Sequence, residues 1–259
     1  MPRNKLFDVT LVAATSVAIE ETVSALSASM RQAEFAEVLL LSDQPPPNGL
    51  DERIVWRAID PITSREAFSS FMLQDLGGHI RTSHALCVQW DGFVLDGDAW
   101  DPAFLDYDYI GAVWPHLSRP HNVGNGGFSL RSRQLMDACR HLPFDGSEGE
   151  DVFIGRTCRY RLEAEGIRFA PEAIARRFAY ERTRPTGQEF GFHGAYNLVR
   201  FMPSEDATVF FRDLDPGLLA KNERIELFWW ALLHARLKLA AVMLRRLFRS
   251  PLRTEENKA

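Results

Sequence analysis

Three short stretches carry side chains that can do chemistry. In CVQWDGFVLDGD, Cys87–Asp98, an apolar run ends in Gln89-Trp90-Asp91, and alternation along an extended chain puts the Gln89 amide and the Asp91 carboxylate on one side. Oxygens so placed can approach one divalent cation, a hard ion that takes oxygen ligands and keeps a substrate diphosphate in its shell. An Asp after a strand also serves as a turn or cap residue. In Gly149-Glu150-Asp151 two carboxylates open a helix. There they complement the helix dipole as caps, or one is a general base, held ionised and ready to take a proton from an attacking hydroxyl. In Phe190-Gly191-Phe192-His193-Gly194 the imidazole can ligate a metal, contact a phosphate, or be satisfied by backbone as an ordinary loop histidine.

A fourth stretch, VGNGGFSLRSR from Val123 to Arg133, is rich in glycine. Either it is a tight turn, or bare backbone at Gly126 and Gly127 must approach a ligand that a side chain would block. Familiar nucleophile and phosphate signatures are missing: there is no GxSxG, no Walker A loop, no GxGxxG after the first strand and no HExxH.

These residues must be positioned by elements. Apolar runs at Phe7–Ala14, Glu37–Leu41, Ile54–Ala58 and Ala85–Gln89 predict strands, and the patterns at Ser16–Arg31 and Thr63–Leu76 predict helices between them. That alternation is the mark of βαβ units and a mostly parallel sheet. The QPPPNG loop, Gln44–Gly49, fits neither helix nor central strand. After Trp90 acids crowd a loop-rich segment that leads to an apolar run, Tyr109–Trp114. Helices are then expected at Ser132–His141 and Glu150–Gly166, with an ordered loop at Glu189–Asn197. A last helix, Glu223–Phe248, joins Trp229 and Trp230 to Arg236, Lys238, Arg245, Arg246 and Arg249, with Arg253 beyond. Such a helix suits a membrane interface, or packs on the domain or on a partner; His234, Arg236 and Lys238 count against a full span.

The 259 residues, 46% hydrophobic and 25% charged, describe an ordinary globular α/β protein. A formal charge of -5 excludes a surface built throughout for nucleic acid. The cysteines, Cys87, Cys139 and Cys158, are odd in number and form no CxxC pair, so neither a disulfide framework nor a zinc knuckle is expected and a reducing compartment fits best. Asp8 interrupts the N-terminal apolar run, which is too short for a membrane span and reads as a first strand.

The ordered set QWDGFV, FLDYDYIGAVWPH, VGNGGFSLRSR, GEDVFIGR, APEAIARRFAYE and FGFHGAYN resembles the DUF5672 family of GT-A-type glycosyltransferase domains, over about Lys5 to Met202. The resemblance implies a Rossmann-like GT-A fold: a mixed, mostly parallel sheet flanked by helices, in a catalytic domain of residues 1–205, followed by a basic, amphipathic helical extension at 206–259. It implies a nucleotide-sugar donor and Mn²⁺ or Mg²⁺ bridging the diphosphate to an Asp-x-Asp motif. Here Gln89 replaces the first acid, so Asp91 is the main metal ligand and His193 a second; the literal Asp96-x-Asp98 lies beyond the strand end and ranks after them. In inverting enzymes of this fold the Glu-Asp pair supplies the base, which maps to Asp151 with Glu150 beside it. Val12–Thr15, with Ala13 and Thr15, would lie near the nucleotide together with Asp43, and Gln89, Trp90, Asp91, Gly126, Gly127 and Phe128 complete the donor site. Arg131 and Arg133 are phosphate or acceptor contacts, or solvated helix-start arginines. Trp114, Phe128, Phe192 and Tyr196 stack on sugars or fill the core.

The expected activity is sugar transfer to a surface-glycan or lipid-linked acceptor by an enzyme on the cytoplasmic side of a membrane, touching it through residues 223–253. Two other readings stand beside it: a glycosyltransferase-like scaffold without turnover, suggested by Gln89, and a nucleotidyltransferase, for which Ala13-Ala14-Thr15-Ser16 supplies no glycine- and arginine-rich loop.

Overall fold

The computed structural model describes residues 4–46 and 49–248. Pro47 and Asn48 of the QPPPNG loop, and Arg249 and Arg253 of the basic segment, lie outside the described residues.

Strand β1 (Asn4–Ala14) leads through α1 (Ile19–Gln32) to β2 (Ala33–Ser42) and β3 (Ile54–Ala58). Helices α2 (Arg65–Gln74) and α3 (Leu76–His79) return the chain to β4 (His84–Val88). Two short strands, β5 (Tyr109–Ile110) and β6 (Phe128–Ser132), finish a six-stranded sheet of order β3-β2-β1-β4-β6-β5. The β1/β2, β1/β4 and β2/β3 pairs are parallel; β6 runs antiparallel to β4 and to β5. The mixed, mostly parallel α/β sheet that the sequence predicts is therefore present.

Continuous apolar runs suit strands covered on both faces. Leu11, Ala13, Val38, Leu40, Leu86 and Val88 enter the core that contains Leu26 and Met30 of α1. Their neighbours Val12, Ala14, Leu39, Leu41, Ala85 and Cys87 enter the core on the other face, with Met72 and Leu76. A one-residue slip would exchange the two sets, so register is firmly specified.

Several boundaries differ from expectation. Helix α1 begins at Ile19, after Ala18 in left-handed backbone, and the Ser16 hydroxyl accepts from Ile62 N–H instead of capping α1. The Tyr109–Trp114 run pairs in the sheet only at Tyr109–Ile110; beyond it a Cβ on Gly111 would lie 1.6 Å from Gly124 O, and Val113 bridges Val123. Helix α4 (Arg133–Cys139) starts one residue later than predicted because Ser132 is its cap, accepting from Leu135 N–H. The predicted Glu150–Gly166 helix is three pieces: α5 (Glu150–Val152), a π turn at Phe153–Thr157 and α6 (Arg159–Ala164). Helix α7 (Glu172–Phe178) feeds β7 (Ala179–Tyr180), which pairs parallel with β8 (Gly191–Phe192), so the expected Glu189–Asn197 loop contains a strand.

The chain divides into Met1–Gly194 and Ala195–Ala259, a break earlier than the expected 205/206 boundary. The second unit holds α8 (Ala195–Leu198), α9 (Ser204–Asp213), α10 (Lys221–Leu233) and α11 (Leu237–Phe248). Its single expected helix, Glu223–Phe248, is two, broken at His234–Arg236 where Ala235 is left-handed and Arg236 donates to the carbonyls of Val199 and Met202. Those bonds tie Val199 and Met202 into the second unit.

Candidate functional site

In an open α/β sheet, ligands bind outside the carboxyl ends of the strands where strand order reverses. Here β1 is flanked by β2 on one side and by β4 on the other, so that point is the end of β1 and β4. Ala13 and Thr15 stand there at the close of β1; the Thr15 hydroxyl is bonded to Val17, and Thr15 N–H donates to Leu41 O. Asp43, just past β2, has a buried Oδ1 that accepts no hydrogen bond.

Strand β4 ends at Val88, paired with Phe128, and Gln89 N–H donates to Gly127 O at 2.9 Å. This antiparallel hand-over puts the glycine stretch beside the Gln89-Trp90-Asp91 turn. The His193 imidazole fills the gap: its Nε2 lies 3.1 Å from Asp91 Oδ1 and 3.3 Å from Gln89 Oε1, and its Nδ1 lies 3.5 Å from Glu181 Oε1 and 3.0 Å from Asn125 Nδ2. Burial disfavours an imidazolium, but Asp91 and then Glu181 outweigh it and hold His193 protonated well above the ordinary histidine range. Burial likewise acts to raise Glu181, and His193 overcomes it and keeps that carboxyl below its usual range.

On the other side of the glycines, Asp151 Oδ2 accepts from Gly126 N–H at 3.2 Å and its Oδ1 from Val152 N–H at 2.8 Å. Desolvation and the neighbouring Glu150 charge raise its carboxyl to about 6, a value suited to a base working near neutrality. Glu150 is buried and accepts from Arg131 Nη2 at 3.0 Å. The structure thus brings together Gln89, Asp91, Gly126, Gly127, Asp151 and His193, all read from sequence.

Other expectations are corrected. Gly126 and Gly127 are not bare floor for a ligand: a Cβ would lie 2.0 Å from Glu150 Oε1 at the first and 2.0 Å from His193 Nε2 at the second. The site's own side chains require those glycines. Arg131 lies within β6, 1% exposed and bound to Ser129 and Glu150, so it is neither a helix-start arginine nor open to a donor. Arg133 donates to Gly77 O and Ile80 O. Phe128 is core, against Phe178 and beneath Gly191, and Trp114 and Phe192 are also buried; Tyr196 belongs to the second unit. Asp96 caps a turn by accepting from Asp98 N–H at 2.9 Å, and Asn4, at the far end of β1, donates to Gly97 O. The literal Asp-x-Asp therefore sits at the opposite end of the sheet.

Two participants escape the sequence reading. Asn125, left-handed at φ 75°, contacts His193 with its Nδ2 and takes Phe128 N–H on its Oδ1. Glu181 follows β7 as His193 follows β8, and the pairing of Tyr180 with Phe192 sets the two side by side. The acid ending the FAYE run was the available signal for Glu181.

A divalent cation is implied by the family resemblance. Asp91 Oδ1 and Gln89 Oε1 converge on His193 Nε2, at 3.1 and 3.3 Å, and a cation held by all three would displace the Nε2 proton that they share. Among the described residues no group of three His, Cys, Asp or Glu side chains is arranged to hold a metal. The donor set is thus one carboxylate, one amide and, once its proton is displaced, one imidazole, which fits an ion that takes its other ligands from a diphosphate.

The family profile described as "Protein of unknown function (DUF5672)" matches residues 55–193, more than half of the chain. No curated protein matches the sequence. Similar solved structures include the galactosyltransferase LgtC in complex with donor and acceptor sugar analogues, 12% identical with a TM-score of 0.40, covering 71% of this chain and 86% of that one. The apo form of the glycosyltransferase GlyE of Streptococcus pneumoniae TIGR4 is 12% identical with a TM-score of 0.43, covering 74% of this chain and 54% of its own.

Proposed function

The chain belongs to the DUF5672 family, and we propose that it is a GT-A-type glycosyltransferase that moves a sugar from a nucleotide-sugar to a hydroxyl of a glycan or lipid-linked acceptor, with inversion. One observation carries this reading. At the strand-order reversal, a carboxyl raised to about 6 shares a glycine pair with a cation-type donor set. Asp151 takes the acceptor hydroxyl proton; the oxygen forms a bond to the anomeric carbon while that carbon's bond to the diphosphate oxygen breaks, its electron pair leaving with the nucleotide. Mn²⁺ or Mg²⁺, held by Asp91 and the Gln89 amide, with His193 joining once the cation displaces its Nε2 proton, would supply charge neutralisation for that diphosphate. Thr15, Asp43 and Trp90 line the nucleotide side, whereas the Ala13 side chain is taken up by the core against α1; the unsatisfied Asp43 Oδ1 suits a ribose or base donor.

Among the described residues no helix is long and apolar enough to cross a membrane. The second unit supports peripheral contact instead: Ile225, Trp229, Leu232 and Leu233 on α10, and Leu237, Leu244 and Phe248 on α11, form exposed helical stripes. Arg236 and Arg246 are spent on backbone carbonyls, leaving Lys238 and Arg245 as the exposed cations of α11. A lipid-linked acceptor at an anionic cytoplasmic surface fits that composition.

The test is thermal-shift and hydrolysis screening against UDP-, GDP- and CDP-sugars with and without Mn²⁺. A stabilising donor that is also slowly hydrolysed supports transfer. Binding without any turnover favours the scaffold reading that Gln89 keeps open, and no response to any donor overturns both.

A further inference from the structure

Arg131 is the last residue but one of β6, opposite Ala85 of β4 and Tyr109 of β5, with its guanidinium 5.9 Å from the Tyr109 ring centroid. Burying an ion pair is unfavourable unless further bonds repay it, and an apolar pair of equal volume would pack the sheet as well or better. The bonds that Arg131 makes all lead to one peptide. Its Nε donates to Ser129 Oγ at 3.0 Å, and Ser129 Oγ donates to Gly126 O at 3.1 Å. Its Nη2 donates to Glu150 Oε1, the atom that fills the space a Gly126 Cβ would take. The N–H of the same Gly126 donates to Asp151 Oδ2.

We infer that Arg131 is a positioning residue: through Ser129 and Glu150 it fixes Gly126, and the Gly126 N–H aims the Asp151 carboxylate. This rests on the reading of Asp151 as the base. It replaces a donor contact by Arg131 with a single device, in which the glycine is required by the ion pair and the ion pair by the base. The charged and titratable groups around it are Glu150 and Asp151 from α5, Tyr109 from β5, Cys87 from β4 and Cys139 from α4.

The experiment uses the full chain with Ser129→Ala, Arg131→Lys and Glu150→Gln, each checked for folding by circular dichroism. Ser129→Ala cuts the link without touching a charge, and so remains informative if the arginine variant does not fold. The Asp151 titration midpoint is read by carboxyl ¹³C NMR without any ligand, and turnover is read as hydrolysis of UDP-glucose and UDP-galactose. Glu150→Gln should lower the Asp151 midpoint by about one unit or more, since a like charge is removed. Ser129→Ala and Arg131→Lys should move that midpoint and lower kcat about tenfold with KM unchanged. Loss of stability alone, with midpoint and kcat intact, would overturn the inference, as would a rise confined to KM, which marks a donor contact. If the wild type hydrolyses neither sugar nucleotide, the catalytic reading is what fails there, and the midpoint still decides whether Arg131 holds Asp151.

Discussion

Gly127 and His193 are in such close contact that a methyl group cannot be placed between them: a Cβ on Gly127 would lie 2.0 Å from His193 Nε2. The imidazole cannot yield, because Asp91 and Glu181 grip it from two sides. Gly127→Ala should therefore destabilise the fold by about 1–3 kcal/mol, read by urea denaturation. Gly78→Ala is the control, since its Cβ would meet only Arg140 Nη2 at 3.7 Å, and should be neutral or stabilising by up to about 0.5 kcal/mol. Equal urea midpoints for Gly127→Ala and wild type would mean that the ring is not held against the backbone.

Asp151 links stability to pH. Its carboxyl is raised from 3.8 to about 6 in the folded chain, so between those values the native state binds a proton that the unfolded state has lost. Its contribution is fully present below the unfolded value and disappears as pH rises through about 6. Asp151→Asn should then be more stable than wild type by about 1–2 kcal/mol at pH 8, with the advantage fading towards pH 4. A pH-independent difference would contradict the assigned shift.

The cation assignment predicts a dependence on two ligands together. Mn²⁺ with UDP should raise the melting temperature of wild type more than either does alone, because the diphosphate completes the shell. Asp91→Asn should abolish the extra increment and leave the effect of UDP alone. An increment of wild-type size in Asp91→Asn would remove Asp91 from the site.

In the second unit, Arg246 and the exposed leucines have separable roles. Arg246 is buried and donates to the carbonyls of Phe211, Arg212 and Leu214; Arg246→Ala strands those acceptors and should cost about 2–4 kcal/mol in thermal or urea unfolding. Leu233 and Phe248 are each 82% exposed. Leu233→Ser with Leu237→Ser should leave unfolding unchanged within about 0.5 kcal/mol while reducing co-sedimentation with vesicles containing phosphatidylserine. Unchanged sedimentation would turn attention to a protein partner for these stripes.

The sheet was legible because strands covered on both faces read as unbroken apolar runs: Ile54–Ala58 was placed to the residue and β4 to within one. The long helices were not, because their breaks arise from tertiary demands. The π turn carries Gly155, whose Cβ would lie 3.4 Å from the Trp114 indole, and the bend at Ala235 follows Arg236 reaching two carbonyls. The same holds within the site. Asp91, Asp151 and His193 stood out as residue types at strand and helix ends, whereas Glu181 and Asn125 became visible only when β7 paired with β8 and the glycine stretch turned back on β4. Arg131 is expected at a helix start, yet the fold runs β6 through it before Ser132 caps α4.

The most direct test of the central claim is a comparison of wild type with Asp151→Asn on whichever nucleotide-sugar stabilises the protein, following binding by calorimetry and turnover by release of nucleoside diphosphate. The account predicts donor affinity within about threefold of wild type and a fall in turnover of about 10²–10⁴-fold, the range for loss of a general base. Turnover retained by Asp151→Asn, with the donor bound equally well, would contradict it.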